Sequence, residues 1–155
     1  MSVTIEAIRA RQTELAAMIQ AFAEQATAVT HIEIEGTTIE LQPGEHYAGA
    51  VLDQDGDHLH HLVLMAERPT DTLNWQAAMD WAQRIGGSIP SRQEQALLFA
   101  NCNPHLEDGY HWSSETHANN ASFAWSCGFN DGNQHYDFKG YELSAVAVRM
   151  IPLTA

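Results

Sequence analysis

The chain is poor in basic charge and in cysteine, and it has no long apolar run. Against 20 Asp and Glu it sets 7 Lys and Arg, for a formal net charge of −13. A phosphate backbone is gripped by Lys and Arg, and so few cations cannot build a basic face, which argues against nucleic acid as a partner. An anionic lipid surface is disfavoured for the same reason. No apolar stretch approaches the roughly 20 residues that span a bilayer, so membrane insertion is not expected. Met1-Ser2-Val3-Thr4 lacks the basic start and apolar core of a secretory signal, so the expected product is made in a bacterial cytoplasm and leaves, if at all, by assembly or lysis. The two cysteines, Cys102 and Cys127, have no Cys-x-x-Cys spacing for metal or redox work. Two packed thiols are favoured in a reducing cytosol, and a single bridge remains open for a protein that matures outside the cell.

The 155 residues, 45% of them hydrophobic, suit one folded domain and an appendage. Residues 5–26 predict a helix with a narrow apolar seam. Ile5, Ile8, Gln12, Leu15, Ile19, Phe22 and Ala26 alternate spacings of three and four, the a/d pattern of a coiled coil. Ile at both a and d positions leans towards three or more strands, and Gln12 on the seam can fix register. A homo-oligomer, a trimer first, is the expectation; the alternative is an amphipathic helix lying on its own domain or a partner. Three heptads are marginal alone, so the remainder of the chain must help hold the assembly.

Residues 30–42 read as a hairpin, Ile32 and Ile34 alternating with Glu33 and Glu35, then turning at Gly36-Thr37 into Ile39 and Leu41. Gln42-Pro43-Gly44 marks a boundary. The division is therefore 1–28 oligomerisation helix, 29–43 connecting hairpin and 44–155 binding domain. Tyr47–Leu52 and Leu59–Met65 are strand-like, joined by Asp53-Gln54-Asp55-Gly56-Asp57 with its Asp-Gly turn signal. A helix is expected over 74–85, with Trp75, Ala78, Ala82 and Ile85 on one face and Gly86-Gly87 as the stop. Ser91-Arg92-Gln93-Glu94 is a capping box that starts a second helix carrying Ala96, Leu97, Leu98 and Phe99 and ending before Pro104. Beyond it, Phe123, Trp125, Cys127 and Phe129 alternate with Ala124, Ser126 and Gly128, which predicts a strand with its aromatic side inward. Asn130-Asp131-Gly132-Asn133 turns into Gln134–Phe138, and Ala145–Ile151 reads as a buried final strand.

A hairpin, two helices, short strands and a terminal buried strand make an α+β chain that is similar to the C-type-lectin-like fold. Residues 46–151 resemble the Lcl C-terminal domain family of phage and bacterial surface proteins. The matching stretches are Tyr47-Ala48-Gly49, Leu73-Asn74-Trp75, Gly87-Ser88-Ile89-Pro90-Ser91-Arg92-Gln93-Glu94, His111-Trp112-Ser113-Ser114-Glu115, Ala124-Trp125, Phe129-x-x-Gly132 and Ala147-Val148-Arg149. The resemblance implies a non-enzymatic phage or prophage virion protein that binds a host-surface glycan or protein and docks on other virion proteins. A structural capsid decoration or tail-attachment protein is the alternative. The calcium-site signatures of sugar-binding C-type lectins, Glu-Pro-Asn or Gln-Pro-Asp with Trp-Asn-Asp, are absent, so glycan binding is expected without calcium and without a cofactor.

Within that frame, the expected ligand face runs from His117 to Tyr141: Asn119, Asn120, Asn130, Asn133, His135, Tyr136, Asp137, Lys139 and Tyr141. Amides donate and accept hydrogen bonds, and tyrosine adds rigid apolar area with a polar tip. Trp75, Trp112 and Trp125 are assigned to structure. Asp53–Asp57 fails the spacing of an EF-hand loop and reads as a turn. His58 and His60 share a strand face and His61 adjoins them, but no third ligand is evident, so no metal is expected. Trp112-Ser113-Ser114-Glu115 lacks a nucleophile elbow and a fixed base, so no catalytic residue is assigned.

Overall fold

The computed structural model describes residues 3–27, 30–34 and 36–152, apart from the side chains of Ala26 and Thr27. Met1 and Ser2, the seam position Ala26 and hairpin residue Glu35 therefore lie outside the described residues. The described chain is mixed helix and strand, with three α-helices and three small antiparallel sheets.

Helix α1 (Ile5–Thr27) begins where the Thr4 hydroxyl accepts the Ala7 amide at 3.2 Å, satisfying an amide that has no partner within the helix. Its apolar side chains are left uncovered: Ile8, the least exposed of the large ones, is 45% exposed and Phe22 72%. Strands β1 (His31–Ile34) and β2 (Thr37–Glu40) pair through a turn at Gly36, and Thr37 already belongs to β2 opposite Ile34.

The first three-stranded sheet has the order β3 (His46–Leu52), β4 (His58–Leu64), β8 (Val148–Pro152). In its hairpin turn the Asp53 carboxylate accepts the amides of Asp55 and Asp57, each at 2.9 Å, so this acidic run is occupied in closing the turn. As the central strand, β4 is buried on both sides. Leu62 and Leu64 meet Ala48, Val51, Leu98, Cys102, Cys127, Phe129, Val146 and Val148, while Val63 meets Ile39 and Leu41. The β1–β2 hairpin thus covers the far side of this sheet. Arg149 fastens it there, donating to both Glu45 oxygens at 2.9 and 2.7 Å and to the Glu40 carbonyl at 2.6 Å. Burial alone would raise the Glu45 pKa, but the Arg149 hydrogen bond, the Gln42 amide and the Arg149 charge together hold it below the ordinary carboxylate value.

Helix α2 (Trp75–Arg84) starts at Asn74, whose side chain accepts the Ala77 amide, and stops at Gly86, whose φ of +86° a side chain would resist. Helix α3 (Arg92–Cys102) carries the full capping box between Ser91 and Glu94 and runs into a short 3-10 turn at Asn103–His105. Both cysteines are buried free thiols.

The second sheet has the order β5 (Tyr110–Thr116), β6 (Phe123–Gly128), β7 (Gln134–Phe138). Here one expectation is reversed. Ala124 and Ser126 are fully buried, whereas Phe123 and Trp125 are only half-buried on the other side. The inner side of β6 faces Trp112, which is 0% exposed and packs among Ala78, Ala82, Ala124, Ala145 and Ala147. Where β6 packs against that ring only small side chains fit, so its alanine–serine face goes in and its aromatic face goes out. Cys127 and Phe129 are buried as expected, because the end of β6 passes beneath α3.

The closing strand is also shorter than expected. Ser144 still bonds to β5, its amide donating to Tyr110 and its carbonyl accepting from Trp112, each at 3.1 Å. The Ala147 carbonyl already accepts from Met65, just past β4. Residues 145–147 therefore cross from one sheet to the other, buried but unpaired as a strand, and β8 begins at Val148.

Candidate functional site

Register decides what the second sheet shows to solvent. Phe123 pairs with Phe138 and Trp125 with Tyr136, and directly opposed side chains in an antiparallel pair share a face. These four, with Tyr141 beside Phe138, form a continuous aromatic surface: Phe123–Tyr136, Trp125–Tyr136 and Phe138–Tyr141 are edge contacts with centroids 5.9, 5.5 and 5.7 Å apart. Tyr136 is 54% exposed, Phe138 45% and Tyr141 61%. The β6 and β7 backbones beneath them are paired along their length, which makes the platform rigid. Monomeric proteins rarely leave contiguous apolar surface open, and where they do it marks a site of contact.

Polar groups border one end of this surface. The Arg92 guanidinium lies 3.5 Å from the centroid of the Trp125 ring. Its Nε donates to Gln134 Oε1 at 2.8 Å, and Gln134 Nε2 donates back to the Arg92 carbonyl at 3.0 Å, so the stack is locked. Glu115 Oε2 accepts the Arg92 amide at 2.6 Å, which places a carboxylate at the start of α3. The His117 ring stacks on Trp125 with centroids 5.3 Å apart and leans on Tyr136 at 4.5 Å. Its Nδ1 accepts the Asn119 amide at 3.2 Å, which leaves Nε2–H as the ring's donor.

The residues expected from sequence divide between two faces and three loops. Tyr136 and Tyr141 belong to the aromatic face. His135 and Asp137 project to the other side of β7: His135 meets the Tyr110 ring edge-on at 5.1 Å, and Asp137 accepts from the Ser126 hydroxyl at 2.7 Å. Lys139 is tied down, its ammonium bonded to Thr116 at 2.9 Å and 4.1 Å from the Trp75 ring. Asn120 is occupied with the Ser122 amide, and Asn133 with the Asp131 carboxylate, so both serve their turns. Asn119 lies exposed in the β5–β6 loop and Asn130 at the β6–β7 turn.

Of the tryptophans assigned to structure, Trp112 is core, and its indole N–H donates to the Leu73 carbonyl at 2.7 Å. Trp75 is half-buried with its N–H on the Ser113 carbonyl. Trp125 instead belongs to the outer face. Arg92, His117, Phe123, Trp125 and Phe138 were missed as site residues. The available signal was the pairing of two alternating strands: with small residues at Ala124 and Ser126, the aromatic positions of β6 and β7 fall together.

The other chemistry-bearing groups are engaged internally. His60 Nε2 meets Glu94 at 3.1 Å, and His61 is buried with its Nδ1 2.9 Å from the Tyr47 hydroxyl, so adjacent histidines serve opposite sides of β4. Among the described residues no three His, Cys, Asp or Glu side chains are arranged to hold a metal ion. Burial pushes the Cys102 thiol up to about 11 and raises that of Cys127, with Asp131 adding to the latter. Ser113 is fully buried, its hydroxyl accepting the Glu115 amide at 3.1 Å. A cavity of about 180 Å³ lies between Arg68, Asp71, Glu107, His111 and Ser144, and a more open, mainly apolar groove of about 350 Å³ lies between Ala50, Leu52, Gln93 and Leu97.

Compared with known proteins, the chain matches no family model and no curated sequence.

Proposed function

We propose that this protein is a non-enzymatic binding module of C-type-lectin-like fold whose ligand lies on the outer face of the β5–β6–β7 sheet. The observation that carries the reading is the aromatic platform on a paired, rigid backbone, with Tyr136, Phe138 and Tyr141 exposed and Phe123 and Trp125 half-buried beside them. Aromatic faces stack on the apolar faces of sugar rings or on apolar side chains, and the flanking Glu115, Arg92 and His117 supply the hydrogen bonds that orient a ligand. Support for the fold comes from the element order and from β8 returning to pair with β4, so that the two ends of residues 46–152 meet in one sheet. The two thiols and the Ser113 hydroxyl are buried, and burial raises the pKa of both thiols, so the proposed ligand face holds none of the three.

The exposed seam of α1 is read as the surface on which copies of the chain associate, a trimer first, through Ile5, Ile8, Gln12, Leu15, Ile19 and Phe22. Several platforms on one stalk would convert weak single contacts into avid attachment. A virion protein that engages a host-surface glycan or protein is the setting this design serves. The test is a saccharide array probed with the full chain and with Trp125→Ala and Tyr136→Ala. Capture by the unaltered protein and loss in both folded variants is expected. Capture unaffected by either variant, or no capture of saccharides or host cells at all, overturns the reading in favour of a structural decoration role.

A further inference from the structure

The platform carries a selective element that the aromatic surface alone does not explain. In a chain with 7 basic residues and a net charge of −13, Arg92 is held over Trp125 with no carboxylate within salt-bridge distance among the described residues. Arg149 bonds to Glu45, Arg68 spends its guanidinium on the carbonyls of Met65, Glu67 and His105, and Lys139 bonds to Thr116. Arg92 bonds through Nε to Gln134, while Nη1 and Nη2 donate to no described protein acceptor. Stacking on the indole and the two-way bond with Gln134 fix the plane of the fork before any ligand arrives. Little side-chain entropy is then lost on binding.

We infer that this site takes an acidic saccharide, its carboxylate bridging Nη1 and Nη2 of Arg92 and its ring lying along Tyr136 and Phe138. The inference rests on the ligand face proposed above. A planar carboxylate matches the guanidinium fork with two parallel hydrogen bonds. His117 Nε2–H is a further donor at the same end, and the second oxygen of Glu115 is free of hydrogen bonds to accept a sugar hydroxyl. The surrounding acidity sets a limit of its own. A single guanidinium on this face of a chain of net charge −13 suits a saccharide with sparse carboxylates, while a dense polyanion meets repulsion from the rest of the surface.

The test uses the full chain and three immobilised probes: a hexuronate oligosaccharide, the same saccharide reduced to its neutral alcohol, and a poly-glutamate peptide. The expected result is hexuronate binding about tenfold or more tighter than the reduced form, weakening with salt. Arg92→Gln should erase that preference while leaving residual binding of the neutral probe. Arg92→Lys, which keeps the charge without the fork, should retain part of it. Equal affinity for the acidic and neutral probes, or a preference that survives Arg92→Gln, overturns the inference. If in that case Tyr136→Ala still abolishes binding, the ligand face stands and only its acidic selectivity falls. Arg92-dependent capture of poly-glutamate in preference to hexuronate replaces the saccharide with an acidic peptide. Failure of both saccharides to bind folded protein removes the saccharide reading of the face as well.

Discussion

Replacing Trp112 and Trp125 in parallel separates core from platform, because the two residues lie on opposite sides of the same sheet. Trp112 is fully buried in a cluster with Met65, Trp81 and Ile89 and with five alanines, Ala78, Ala82, Ala124, Ala145 and Ala147, that have no side-chain torsions with which to refill a space. Truncation to alanine should therefore cost near the top of the usual range for a buried aromatic, about 5 kcal/mol. Loss of the indole hydrogen bond to Leu73 adds to this only modestly, since that carbonyl keeps its bond from the Leu143 amide. For a chain of this size the cost corresponds to a fall in Tm of roughly 10–20 °C. Trp112→Phe keeps most of the volume and should stay folded, losing about 2 kcal/mol. Trp125 is half-exposed, and alanine there forfeits part of its area and the Arg92 stack, about 1–2 kcal/mol. Urea denaturation followed by far-UV circular dichroism gives all three values. A Trp125→Ala loss equal to that of Trp112→Ala would refute the inside–outside assignment of β6.

A charge at Leu15 or Ile19 of α1 should disperse the oligomer, since burying it unpaired costs several kcal/mol; light scattering that finds the unaltered protein monomeric contradicts the stalk. Arg149→Ala should loosen the β1–β2 hairpin and cost roughly 2 kcal/mol or more, because it strands the buried Glu45 carboxylate; unchanged stability would mean that the hairpin is held otherwise. Burial lowers the pKa values of His46, His61 and His111 below the ordinary 6.5; charged neighbours lower the first two further, while at His111 the Gly109 carbonyl and Glu107 oppose the shift and Arg68 adds to it. The unfolded chain then takes up protons first, so stability present above 6.5 is lost as pH falls through and below it. Urea midpoints should accordingly drop between pH 7.5 and 5.5, and equal midpoints would contradict those burials. Both thiols should react with a disulfide reagent only as fast as the protein unfolds, and rapid labelling of native protein would count against their burial.

Local chemistry was legible wherever one stretch of chain decides its own structure. The Ser91–Glu94 capping box, the Asp53 turn and the Asn130–Asn133 turn satisfy backbone groups within a few residues, so sequence spacing suffices. The inward side of β6 was not legible, because both of its faces are apolar or small enough to be buried. The choice is made by Trp112, which must find its small neighbours on α2, β6 and the 145–147 crossing. The same holds for β4, where Val63 is covered by a hairpin that lies in the sequence before the sheet it packs against. For the site, the polar turn residues were visible and the aromatic platform was not, since Phe123 and Trp125 carry a core composition on an outward face. Arg92 lies more than twenty residues from that segment and reaches it only through the fold.

The central claim is that ligand covers the outer face of the β5–β6–β7 sheet. Hydroxyl-radical footprinting of the full chain, with and without the hexuronate oligosaccharide, tests this most directly, because aromatic side chains are readily oxidised when exposed. Protection is predicted at Trp125, Tyr136, Phe138 and Tyr141, with Tyr110 on the opposite side of the sheet unchanged. Unaltered oxidation of those four alongside protection at Tyr110 or around the Arg68–His111 cavity would contradict it.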